Sequence, residues 1–184
     1  MRHELLGGES TFFSDLIKCD EKLAEATWCK GCPFCGGRLD RADYPRKPRG
    51  LPAQLEEAFS RRYSFCCAKE GCRRRSTPPS LRFFGRRVYI AAIILVICGR
   101  LLTARRAAVP KNTARRWRRH FSTGFRDLPF WQRARGLLMP PIDEGDLVAS
   151  LLSRFGGDRV ARLHQVLHFL SPVTTRSAGE MMAR

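Results

Sequence analysis

Hydrophobic side chains recur at helical spacing over residues 10–27. Phe12, Phe13, Leu16, Ile17, Leu23 and Ala24 form one stripe, and Asp15, Lys18, Asp20, Glu21 and Lys22 fall between them. The pattern predicts an N-terminal packing helix within residues 1–27, capped at Ser10 or Thr11. Periodicity then fades over residues 28–82, where Cys, Gly, Pro and Arg predominate and short strands and turns are expected. Within this stretch residues 61–66 have strand character, and residues 51–59 read as a short helical insertion with Pro52 in its first turn. Residues 88–102 are apolar nearly all round, which predicts a central buried helix. A short helix ending near Ala108, a turn at Val109-Pro110-Lys111 and a second helix capped by Asn112 or Thr113 give residues 83–126 helix-turn-helix character. Ala114, Trp117 and Phe121 supply the apolar face of that second helix. Residues 127–184 read as a C-terminal helical hairpin. One arm, 146–155, stops at Gly156-Gly157, and Asp158 caps the other, 159–170. The last dozen residues read as a frayed tail.

Charge changes this picture. The chain of 184 residues carries 34 Lys plus Arg against 17 Asp plus Glu, a net charge of +17. Residues 38–135 hold 25 basic and 6 acidic side chains, so the entire excess lies in the middle. A local field of that size repels itself unless a polyanion neutralises it, and nucleic acid is the expected partner. The longest apolar run, Val88–Cys98, has eleven residues, against roughly 20 for a membrane span. The first residues lack the apolar region of a secretory signal. The expectation is a cytoplasmic, nucleoid-associated protein with no membrane partner, in a reducing compartment where cysteines bind metal more often than they pair.

The cysteines carry the strongest chemical signal. Cys32-Pro33-Phe34-Cys35-Gly36-Gly37 is a short knuckle whose spacing lets two thiolates point at one ion, and whose glycines permit a turn with N–H groups aimed at the sulfurs. A second pair lies at Cys67 and Cys72. Together Cys32, Cys35, Cys67 and Cys72 form a set of four sulfurs suited to one structural Zn2+. Cys66 and Cys67 point to opposite faces of a strand, so only one ligates. Cys67 is preferred and Cys66 is the alternative. Cys29 extends a short-spaced run that an iron–sulfur cluster would also use, but the knuckle accounts for Cys32 and Cys35 and leaves Cys29 spare. Cys19 and Cys98 read as buried thiols. The fold class is therefore mainly α with a small short-strand module of zinc-ribbon type.

On the helix that follows Pro110, Lys111, Asn112 and Arg115 are the candidates for reading base edges. Arg116, Arg118 and Arg119 are the candidates for phosphates. Arg46, Lys47 and Arg49 on a proline-stiffened stretch, and Arg73, Arg74 and Arg75 after Cys72, are further candidates for the nucleic-acid backbone.

The runs Cys32-Pro-Phe-Cys35-Gly-Gly, Tyr63-x-Phe-Cys-Cys67 and Gly71-Cys72-Arg-Arg-Arg-Ser-Thr-Pro-Pro resemble the transposase-type zinc ribbon of bacterial mobile elements. The second cysteine pair is also similar to phage late-gene activator zinc fingers. Thr113-Ala-Arg-Arg-Trp117-Arg-Arg resembles a transposase helix-turn-helix. The resemblance covers residues 28–126 and implies binding to double-stranded DNA. A full transposase would add a carboxylate-metal nuclease domain. Here Asp127, Asp143, Glu144, Asp146, Asp158 and Glu180 are spaced like caps and loops. The reading is a non-enzymatic DNA-binding protein, a transposition accessory or transcriptional regulator, with a transposase or other protein as a further partner and a two-fold homodimer as a fitting assembly. An RNA- or ribosome-associated zinc ribbon and a protein-interaction module are the alternatives. His164 and His168 are four apart, but no Glu stands between them as in a zinc-protease helix.

Overall fold

The computed structural model describes residues 9–50, 56–85, 89–101 and 103–175. The chain is mainly helical with a small antiparallel sheet. Helix α1 spans Glu9–Lys30, three residues past the expected end. Its last turn is tied forward, because the Trp28 indole N–H donates to the Leu39 carbonyl at 2.9 Å. Gly31, at φ 73°, then ends it.

Strands β1 (Leu39–Arg41), β4 (Phe65–Cys67) and β5 (Arg75–Ser76) form a three-stranded sheet in the order β1-β4-β5. Leu39 faces Cys67, and Cys66 faces both Asp40 and Arg75. A separate two-stranded pair joins β2 (Tyr44–Pro45) to β3 (Arg61–Arg62). Helix α2 is Glu56–Ser60, and the first half of the helical insertion expected at 51–59 lies outside the described residues. The frayed tail expected at the C-terminus lies largely outside them as well.

The central apolar helix, α3, is shorter than its hydrophobic pattern, running Ala91–Cys98. Residues 88 and 102 of the expected span are not among those described. Tyr89 and Ile90 are extended instead, in bridges to Arg49 and Phe83, so sheet-like pairing uses the start of the run. The end of α3 is a double-bonded cap. Leu101 N–H reaches the Val96 carbonyl at 2.9 Å and Arg100 N–H the Ile97 carbonyl at 3.3 Å. Gly99 does not supply the left-handed residue of this cap. Its φ is −78°, and it is glycine because a Cβ there would lie 2.3 Å from Leu152 Cδ1. Arg100 takes the left-handed position, at φ 59°.

The helix expected to end near Ala108 is a correction. Residues 104–108 form only turns, with Ala107 N–H on the Thr103 carbonyl and Val109 N–H on the Ala104 carbonyl. The segment between the α3 cap and Val109-Pro110 is too short for stable helix, and Ala108 at φ 51° breaks it. Helix α4, Lys111–Ser122, begins directly after an extended Pro110, with no side-chain cap from Asn112 or Thr113. Ala114, Trp117 and Phe121 are its buried residues, as the stripe predicts.

Helix α5, Pro129–Ala134, was not legible in the sequence pattern. It buries Trp131 completely, and the Trp131 indole donates to Glu144 at 2.9 Å. Glu144 also pairs with Arg126 and Arg135, at 2.7 and 3.3 Å. Helices α6 (Leu147–Arg154) and α7 (Arg159–Leu170) pack on each other and on α3, with Asp158 capping α7 through Ala161 N–H at 2.8 Å.

Two hydrophobic cores result. The larger joins α1, α2, residues 81–84, α3, α4, α5, α6 and α7. The smaller contains Ala24, Cys32, Leu39, Tyr63, Phe65 and Cys67. Where they meet, Asp20 and Arg82 form an ion pair at 2.7 Å with neither side chain exposed. The Asp20 carboxylate also accepts from Ser80 Oγ at 2.5 Å and Leu81 N–H at 2.6 Å, and the Arg82 guanidinium donates to the carbonyls of Phe59 and Arg61. Arg82 lies over the rings of Phe59, Tyr63 and Phe83. Arg62 is buried nearby and donates to the Pro78 carbonyl; burial pushes its pKa down to about 10.

Removing one member of a satisfied buried pair leaves the other charge without compensation. Asp20→Ala should therefore destabilise the protein by about 3–5 kcal/mol. The urea unfolding midpoint measures this, and a loss under about 1 kcal/mol would show that the joint is not what holds the two cores together.

Candidate functional site

The sheet brings together four cysteines from two chain reversals. In the first, Cys32 N–H donates to the Gly37 carbonyl and Gly36 N–H to the Cys32 carbonyl, both at 2.8 Å. In the second, Cys72 N–H donates to the Lys69 carbonyl and Cys67 N–H to the Arg74 carbonyl. The pairing of Leu39 with Cys67 sets one reversal against the other. The sulfurs of Cys32, Cys35, Cys67 and Cys72 all lie within 4.8 Å of one another, with Cys32–Cys72 at 3.7 Å and Cys35–Cys67 at 3.5 Å. A tetrahedral ion with metal–sulfur bonds of about 2.3 Å has sulfur–sulfur edges of about 3.8 Å. The described cysteines form no disulfide, and this donor set fits one metal ion.

The backbone supports thiolate character. N–H groups of Gly37, Lys69 and Arg74 are directed at the sulfurs of Cys35, Cys67 and Cys72. The Gly37 N–H, helped by the neighbouring thiols, lowers the Cys35 pKa to about 7. Burial pushes the Cys67 thiol up to about 12. Gly37 is small for a direct reason: a Cβ there would stand 3.3 Å from Cys67 Sγ and 3.4 Å from Cys35 Sγ. Outside the cluster the Arg74 guanidinium covers the Phe34 ring at 4.6 Å, so each reversal holds the other.

The strand alternation decides between the adjacent cysteines. Cys67 is fully buried among the four sulfurs, whereas the Cys66 thiol points away and donates to the Arg73 carbonyl at 3.4 Å. Cys29 is exposed and outside the set. Cys98 is buried, and Cys19 is half-buried with its sulfur 3.6 Å from His164 Nε2. His168 is exposed.

The basic candidates divide. On α4, Lys111, Asn112, Arg115, Arg116 and Arg119 are exposed, and none of these arginines has an acidic partner among the described residues. Arg118 is also exposed but donates to the Ile97 carbonyl at 3.2 Å, which fixes α4 on the end of α3. Near the cysteines, Lys47, Arg49 and Arg73 are exposed. Arg46 is turned inward instead, donating to the Gly85 carbonyl and lying 5.0 Å over Phe83, and burial lowers its pKa. Arg75 donates to Ser64 Oγ and the Ala42 carbonyl and so braces the sheet. Sequence reasoning missed Arg100, which joins Arg115, Arg118 and Arg119 in one cleft with the start of α6. Its only sequence signal is its place one residue after a helix-ending glycine.

No protein-family model matches this chain, and neither does any curated protein or solved structure. No helix among the described residues is long and apolar enough to cross a membrane.

Metal binding displaces thiol protons, so affinity must fall on acidification. Competition with a chromophoric chelator should show the steepest loss below about pH 7, where Cys35 also takes up a proton. A pH-independent affinity would rule out thiolate ligation. Metal analysis of purified variants supplies a second check. Cys67→Ser should lose the ion and Cys66→Ser should retain one per chain; the reverse result would exchange the two roles.

Proposed function

We propose that this chain is a zinc-dependent DNA-binding protein of bacterial mobile-element type, acting as a transposition accessory or transcriptional regulator rather than as an enzyme. The observation that carries the reading is the outward face of α4. Asn112, Arg115, Arg116 and Arg119 project from a helix whose opposite face, Ala114, Trp117 and Phe121, is sunk in the core. A helix mounted rigidly in this way can enter a major groove as a unit, with guanidinium groups matched to phosphates and guanine edges. The absence of acidic partners among the described residues argues against a merely solvated helix, where opposite charges at i, i+4 are usual.

The four-sulfur centre has a structural part in this reading. Four thiolates in tetrahedral array select zinc over harder cations, and a closed set leaves no open position for a reaction. The ion would hold a zinc ribbon built from β1, β4 and β5, displaying Arg73 and Arg74 beside it. Turns at residues 104–108 stand where a helix-turn-helix has its first helix, so in this reading α4 alone carries the groove contact. A two-fold dimer on a palindromic site, a transposase or other partner and a nucleoid location extend the same reading.

Each phosphate neutralised by a basic side chain contributes about 0.9 to the slope of log affinity against log salt. Arg115→Ala with Arg116→Ala should weaken binding to mixed-sequence duplex DNA and reduce that slope by about 2. Fluorescence anisotropy over a salt series measures both. An unchanged slope would remove α4 as the contact surface, and tighter binding to structured RNA than to duplex DNA would overturn the choice of DNA.

A further inference from the structure

Between α4 and α6 lies a cleft of about 360 Å3 lined by four arginines: Arg100, Arg115, Arg118 and Arg119. Asp146 is the carboxylate among its lining residues, paired with Arg100 at 3.0 Å. The opposite wall is residues 145–148, the first turn of α6 and the residues before it. Asp146 occupies the cap position of α6 but makes no side-chain cap bond; its carboxylate is turned to Arg100 instead.

The backbone at Arg100 is the independent observation. The α3 cap needs one residue in the left-handed region, the place glycine takes in most helices. Glycine is present one residue earlier, where the contact with Leu152 demands it, and the left-handed position carries an arginine at φ 59°. An arginine in this region carries a backbone cost that glycine would not. Here the side chain reaches a cleft that already contains three like charges. The Ile97 carbonyl holds Arg118 and Asp146 holds Arg100, whereas Arg115 and Arg119 have no acidic partner among the described residues.

We infer that this cleft binds one phosphoryl group through Arg100, Arg115, Arg118 and Arg119. Several guanidinium forks facing one space match the oxygens of a phosphate and compensate charges that otherwise repel. Where the group belongs to a DNA strand, the inference deepens the reading above; a free phosphorylated compound is the other source.

Inorganic pyrophosphate titrated calorimetrically into the full chain at low ionic strength tests this. One saturable site per chain is expected, with affinity at least tenfold lower in Arg100→Gly and in Arg119→Ala. Arg100→Gly also relieves the left-handed backbone, so its melting temperature should rise while its binding falls, which separates a lost site from a lost fold. Arg159→Ala, an exposed position on α7 outside the cleft, should bind pyrophosphate unchanged. Non-saturable uptake, or equal losses in Arg159→Ala and Arg100→Gly, would overturn the inference and leave only a diffuse counterion atmosphere. Displacement of labelled duplex by pyrophosphate assigns the site to a DNA phosphate, and binding without displacement assigns it to a free ligand. A chain that binds pyrophosphate but no duplex keeps this site and refutes the DNA reading.

Discussion

The convergence of four cysteine sulfurs is the constraint on which the sheet end of this protein depends. The smaller core contains few apolar side chains, and two of its members, Cys32 and Cys67, are themselves sulfur donors. Strands of two or three residues cannot stand on their ladder bonds alone. What orders them is the pair of tight reversals, each aiming N–H groups at sulfur, locked in register by Leu39 opposite Cys67. An ion held by such a set contributes folding energy directly, because the unfolded chain has no preformed site.

The second constraint is the joint between the two cores. Asp20 is a polar residue inside the run that forms α1, yet its carboxylate is satisfied by Ser80, Leu81 and Arg82. Ser80 N–H in turn donates to Thr174 Oγ1 at 2.8 Å, so the same cluster reaches the residues after α7. Low dielectric strengthens these bonds and makes any unpaired member costly. The network therefore specifies one docking of the cysteine-bearing sheet on the helices. The basic helix α4 is positioned from the helical side, through Trp117 against Tyr89 and Phe121 against Phe84. The four-sulfur cluster and the arginine face thus belong to one framework.

Local signals were legible in the chain. Knuckle spacing and glycines marked Cys32, Cys35 and Cys72, and the alternation of a strand implied that one of Cys66 and Cys67 must turn away. Periods near 3.6 marked α1, α4 and α7, and Asp158 capped α7 where its side-chain chemistry predicted. These properties depend on neighbours within a few residues, so sequence alone determined them. Tertiary structure decided the rest. It shortened α3 by pairing Tyr89 and Ile90 with distant backbone, turned Arg46 inward and buried Asp20 against a residue 62 positions away. It also set Arg100 beside the α4 arginines, because Gly99 was already committed to the contact with Leu152. Each of these outcomes rests on contacts between segments far apart in the chain, and periodicity or spacing carries no information about those.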